Sequence, residues 1–166
     1  MGGGGAPIFW GQDRVEKRMN VRERIENAFK QISKRSTQPR QIILEKLVQL
    51  AETGAVFTGE ALWQELRQAN PEIGRATVFR SIDKLVELKV LDRIDFEDGG
   101  HYFRVCSAAG HHHHLACTEC RRVVEFEHCI AEEQIDAIAK QANFAIDDHV
   151  LTIFGCCEDC QKRRKS

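Results

Sequence analysis

Two stretches concentrate the residues able to do chemistry: His111-His112-His113-His114-Leu115-Ala116-Cys117-Thr118-Glu119-Cys120 and Cys157-Glu158-Asp159-Cys160. Zinc prefers four soft or borderline ligands in a tetrahedron, and two Cys-x-x-Cys knuckles supply four thiolates without straining either turn. Cys117, Cys120, Cys157 and Cys160 are therefore the expected ligands of one zinc ion. The four histidines that run into the first knuckle suggest a second metal. On an extended strand His112 and His114 point to one face and His111 and His113 to the other, so one tetrad can serve two sites.

The elements that must position these ligands are legible from periodicity. The 166 residues allow one or two small domains, and 42% apolar content allows a core. No apolar run approaches the ~18 to 20 residues of a membrane span, and the start lacks the pattern of a signal peptide. Seven cysteines in such a chain read as metal ligands and free thiols, which points to the cytoplasm. Residues 1–50 carry ten Lys/Arg against five Asp/Glu, so the first third could face an anionic partner. Residues 1–20 read as a disordered leader. Helical spacing then predicts a basic amphipathic helix over Val21 to Ile32, a second after Thr37 ending near Gly54, a third after Thr58 stopping before Asn70-Pro71, and a fourth after Gly74.

Alternating runs around Glu97-Asp98-Gly99-Gly100 predict a hairpin from Val90 to Val105. Helices followed by a hairpin make a winged helix-turn-helix, whose last helix enters the major groove. Arg75, Thr77, Arg80 and Ser81, donors near the start of that helix, are the expected readers of bases and phosphates. After Cys106-Ser107-Ala108-Ala109-Gly110, strands are expected at Leu115-Ala116, Val123 to Phe126, Ala145-Ile146 and His149 to Phe154. A helix is expected over Ile130 to Ala142 with Ile135 and Ile138 inward. The fold class is α+β, a winged helix followed by a small α/β domain closed by a four-cysteine zinc site, with a solvated basic tail at 162–166. A zinc enzyme or thiol oxidoreductase is a remote alternative. The former needs an open coordination position and a pocket, the latter normally a βαβ setting, and both leave the helix-turn-helix unexplained.

Assembled, the pattern resembles the ferric uptake regulator (Fur) family of bacterial metal-responsive repressors, most of all its zinc uptake regulator branch. The residues that carry the likeness are Gly74-Arg75-Ala76-Thr77-Val78-Phe79-Arg80, the His111 to Cys120 stretch, Glu125-Phe126, His149, and Gly155-x-Cys157-x-x-Cys160. The resemblance implies a DNA-binding domain over 21–105, a hinge at 106–110, a dimerisation domain over 111–161, and a metal-loaded homodimer on a palindromic double-stranded operator. It implies no enzyme activity, and two to three zinc ions per subunit. It makes the four cysteines a structural zinc site, assigns Asp92, Cys106, His112 and His114 to the sensing metal, and assigns His111, His113, Glu132 and His149 to an accessory metal. A thiolate with two imidazoles suits zinc better than the oxygen-rich sets that suit manganese.

The departures also carry information. Cys106 stands where iron-type members tend to carry Glu and peroxide sensors Asp, and Ala55-Val56-Phe57 stands where those sensors often supply a histidine. Iron-, manganese- and peroxide-responsive readings are the alternatives within the family. Phe79 replaces the usual tyrosine among the DNA-contacting positions, and Arg121 replaces a common glycine. Cys129 and Cys156 receive no role from the pattern.

Overall fold

A computed structural model of the chain describes residues 20–32, 37–106, 110–127, 129 and 132–165. Residues 1–19 of the expected leader, and Ser107, Ala108 and Ala109 of the expected hinge, lie outside the described residues. Among those described, no helix is long and apolar enough to cross a membrane.

The first half follows the expected periodicity. Helix α1 (Val21–Ile32) buries Ile25, Ala28 and Phe29 along one stripe. Helix α2 (Gln38–Thr53) follows Thr37 and ends at Gly54, whose φ of 63° is the left-handed conformation that a glycine adopts without strain. Thr58 caps α3 (Gly59–Ala69), its hydroxyl accepting from the Ala61 N–H at 3.1 Å, and the helix stops at Asn70 ahead of Pro71. Helix α4 (Arg75–Glu87) packs Val78, Ile82 and Leu85 into the same core as Ile43, Leu47 and Leu62. The hairpin is β2 (Leu91–Asp95) and β3 (His101–Val105), turning at Gly99 with φ 75°. A short strand absent from the periodicity, β1 (Phe57–Thr58), adds to β3 and gives a three-stranded antiparallel wing in the order β1-β3-β2.

The second half is a sheet in the order β5-β4-β6, from β4 (His113–Cys117), β5 (Val123–Phe126) and β6 (Thr152–Gly155), with β6 parallel to β4. Three expectations need correction here. Ala145-Ile146 is not a strand, and the last strand begins at Thr152 rather than His149. Helix α5 (Glu132–Ala142) leaves Ile138 64% exposed and buries Ala139 instead, because its apolar side is not covered by the described residues of this chain. The basic tail is exposed, and its residues Lys162, Arg163 and Arg164 extend a helix, α6 (Glu158–Arg164), that the second knuckle opens.

The two sheets meet face to face. Along β2, Asp92, Ile94 and the following Phe96 share one side, as the two-residue period of a strand requires. Ile94 and Phe96 are buried there against Ala116 of β4 and Val123 of β5, with Tyr102 and Val56 at the margin. Phe96 also meets Phe154 of β6 edge-on at 5.3 Å between centroids. This interface has an apolar end and a polar end, and the polar end carries the ligands.

Candidate metal centres and nucleic-acid interface

The polar end is built from two cross-strand pairs. Asp92 lies opposite Arg104 on the wing, and His114 lies opposite Glu125 on the second sheet. Packing the sheets sets these pairs against each other. Asp92 Oδ2 lies 2.8 Å from His112 Nε2 and 3.1 Å from His114 Nε2, and Arg104 Nη1 donates to Glu125 Oε1 at 2.5 Å. Donor atoms of Asp92, His112, His114 and Glu125 all lie within 4.8 Å of one another, which suits a single cation.

Cys106 stands outside that group of four, although its thiol hydrogen-bonds Asp92. The Cys106 side chain is fully buried, and buried Arg24 of α1 donates to its carbonyl at 2.7 Å and to the Lys89 carbonyl at 3.1 Å. Sequence reasoning missed Glu125 as a donor. The signal available was its register opposite His114, which only the sheet pairing reveals.

The charges at this end follow from burial and pairing. Burial pushes the Asp92 carboxyl up, but hydrogen bonds from His112, His114 and Cys106 outweigh it and hold the group well below the usual carboxylate range. The same bond to Asp92 pushes His112 up to about 9, against the opposing effect of burial. Burial, reinforced by the Asp92 carboxylate, drives the Cys106 thiol far up. His114 Nδ1 is buried with no hydrogen-bond partner among the described residues.

On the opposite side of the tetrad, His111 and His113 meet His149 and Cys129. Glu132, the expected fourth ligand there, opens α5, but its side chain lies outside the described residues.

The four cysteines of the knuckles also converge, with their donor atoms within 4.8 Å of one another. The parallel register that sets Cys117 opposite Gly155 brings the knuckles together. Cys120 Sγ and Cys157 Sγ stand 3.6 Å apart, near the ~3.8 Å edge of a tetrahedron with Zn–S bonds of ~2.3 Å. The N–H groups of Cys120 and Cys157 pull the Cys117 thiol down to about 6, so it is ready as a thiolate. Burial and the neighbouring thiols push Cys160 up to about 12, even though Arg163 donates to its sulfur at 2.8 Å.

Helix α4 presents Arg75 and Arg80 to solvent, with Thr77 and Phe79 half-buried. The Arg75 guanidinium lies 4.2 Å from the Phe79 ring centroid and pairs with Glu60 at 2.9 Å. Gly59 lets α3 approach this ring, since a Cβ there would stand 3.0 Å from Phe79 Cε1. Ser81 departs from expectation. It is buried, and its hydroxyl donates to the Thr77 carbonyl at 2.8 Å, because position 81 falls on the inward stripe with Val78, Ile82 and Leu85.

Comparison with known proteins places this geometry in context. The profile of the ferric uptake regulator family matches residues 31–154. The ferric uptake regulation protein of Bacillus subtilis is 36% identical over 140 residues, spanning 83% of this chain and 93% of that protein. A crystal structure of the Vibrio cholerae ferric uptake regulator, described as revealing a rearrangement of its DNA-binding domains, is 31% identical. It superposes with a TM-score of 0.59 over 80% of this chain and 98% of that one. A zinc uptake regulator solved with zinc and DNA shares the fold at 21% identity, with a TM-score of 0.66 over 89% of this chain and 99% of that one.

Proposed function

The chain belongs to the ferric uptake regulator family, and from that premise we propose that it is a zinc-responsive transcriptional repressor of metal uptake genes in the cytoplasm, binding palindromic operator DNA as a homodimer. One observation carries the reading. Asp92 on the wing meets His112, just before β4, and His114, on β4, across the interface between the two halves.

A ligand set divided in this way makes metal affinity depend on closure. When bound, zinc would supply a Lewis-acidic cross-link held by Asp92, His112, His114 and one further donor, Cys106 or Glu125. Each of these residues has a second task. Asp92 accepts from both imidazoles and so holds the wing against β4. Arg24 fixes the carbonyl of Cys106 from α1 and so keeps the start of the hinge in register. Closure sets α4 at one orientation relative to the second sheet, and a homodimer paired through the second half would then hold two copies of α4 at one spacing. Differential affinity for the closed form is the only means by which a metal can shift this equilibrium, and a divided site has that difference built in. The uncovered apolar side chains of the second half, Leu115, Val124, Ile138, Phe144, Ile146 and Val150, support dimerisation there.

A second reading rests on Glu125. If it is the fourth donor, the set is two imidazoles and two carboxylates, which suits iron(II) or manganese as well as zinc. The test is DNA-binding anisotropy, on a palindrome selected from random duplexes, with zinc, iron(II) and manganese buffered in turn. Zinc should raise affinity in the wild type, Cys106→Ala should lose that response, and Glu125→Gln should keep it. A zinc response intact in Cys106→Ala but lost in Glu125→Gln would replace the first reading with the second.

A further inference from the structure

We infer that Cys129, in place of the expected Glu132, completes the accessory metal site with His111, His113 and His149, and that the thiolate makes this site take zinc in preference to manganese. The thiol has no other assigned role, and it does not lie at random. Its Sγ stands 3.2 Å from His149 Nε2, and His149 Nε2 stands 3.2 Å from His111 Nε2. On a tetrahedral zinc two nitrogen donors lie ~3.3 Å apart and a nitrogen and a sulfur ~3.5 Å apart, so these separations are close to those of one coordination sphere. Donor atoms of all four residues fall within 4.8 Å of one another.

His113 supplies an independent observation. Its side chain is fully buried, and neither ring nitrogen has a hydrogen-bond partner among the described residues. The ring packs 4.4 Å from His111 and 5.2 Å from His149, centroid to centroid, with Phe126 against it at 5.3 Å. A buried imidazole with two unmet polar atoms is costly to desolvate, and a metal bond at one nitrogen would relieve part of that cost. A cation can also reach the cluster. It opens on a cleft of about 580 Å³ lined by Glu127, Asp136, Asp147 and Asp148 beside His111, Cys129 and His149.

The thiolate sets the selectivity. Three imidazoles with a carboxylate accept several divalent ions, whereas three imidazoles with a thiolate disfavour manganese and favour zinc or cobalt. The four ligands come from β4 and the chain just before it, the link after β5 and the chain before β6, so the site would tie together elements within the second half alone. It therefore stands whichever metal the Asp92 cluster senses.

The test uses the full chain in a Cys106→Ala background, with zinc first loaded at the four knuckle cysteines and cobalt(II) then added. The added cobalt should show a sulfur-to-cobalt charge-transfer band. Cys129→Ala in that background should abolish the band and weaken zinc at this site by at least about a hundredfold, more than loss of an outer-sphere partner produces. Cys129→Asp, which keeps a ligand and the fold, should retain bound metal without the band and gain manganese affinity. The inference is overturned if the Cys106→Ala protein gives no band, if the band survives Cys129→Ala, or if Glu132→Gln rather than Cys129→Ala releases the metal.

Discussion

The cysteine knuckles and the Asp92 cluster are both sets of converging donors, yet they differ in what they join. The four cysteines lie at one end of a single sheet, where the β4–β6 register already holds them. The Asp92 cluster gathers its donors from two sheets that touch only through side chains. A metal at the first site stabilises a local fold, and a metal at the second reports on the approach of two halves. Each site also pairs a ready ligand with a protonated one: Cys117, brought down to about 6, stands beside Cys160, pushed up to about 12, and the ionised Asp92 stands beside His112, which is pushed up to about 9 and must give up a proton before it can serve.

The largest effect that could break this contrast is loss of a knuckle. Structural zinc in small domains contributes on the order of 10 kcal/mol, so Cys117→Ser should lose its zinc and unfold the second half. Metal content with far-ultraviolet circular dichroism and gel filtration would show this, and a folded dimer without zinc would remove the structural assignment. Next in size is Glu125→Ala. It leaves Arg104 buried and unpaired, and removing one partner of a buried ion pair typically costs about 3–5 kcal/mol. In chemical denaturation this variant should lose stability while keeping its knuckle zinc. A loss of that zinc would mean that the two sites are not separable.

Much of this contrast was legible in the sequence, though unevenly. Helices α1 to α4 and the hairpin followed from apolar spacing and from caps at Thr58 and Gly54, because those residues report local backbone energetics. The knuckles followed from Cys-x-x-Cys spacing, and the two faces of the histidine tetrad from strand alternation. What stayed hidden depends on register and on partners distant in the chain. Glu125 enters the Asp92 cluster only through its pairing opposite His114, and Cys129 reaches His149 across α5. Ser81 could have been placed inward from the stripe it shares with Val78 and Leu85. The exposure of Ile138 could not, since helical spacing marks an apolar face without saying which chain covers it.

A pH effect of order 2 kcal/mol sharpens the comparison further. A histidine whose folded value is raised adds stability that is complete below its unfolded value of ~6.5 and is lost as pH rises through about 9. The metal-free interface between the sheets should therefore loosen between about pH 7 and 9, as read by the unfolding midpoint. Zinc affinity at the Asp92 cluster should move the other way, gaining up to about tenfold per unit over that range in a chelator competition, because fewer protons have to be displaced. His112→Ala should flatten the stability slope and remove one proton's share of the zinc slope, leaving only what a Cys106 ligand contributes. A stability slope that persists in this variant would assign the proton elsewhere.

The smallest effect is expected at Arg121, where the two regions touch. This residue follows the first knuckle with φ 62°, a left-handed conformation that costs a non-glycine residue about 1 kcal/mol. Its side chain offsets that strain by reaching the wing, pairing with Asp98 at 2.5 Å and lying 4.3 Å from the Phe96 ring centroid. A half-exposed ion pair and a cation–π contact contribute about 0.5–1 kcal/mol each. Arg121→Gly removes strain and contacts together, so global stability should change by less than ~1 kcal/mol. The distribution of stability should change more, because the strain belongs to the knuckle and the contacts belong to the interface. Amide exchange at Phe96 and Tyr102 should quicken while exchange around Cys117 slows or holds. Faster exchange at both places would show that Arg121 supports the knuckle itself, and the two regions would then share one stability rather than two.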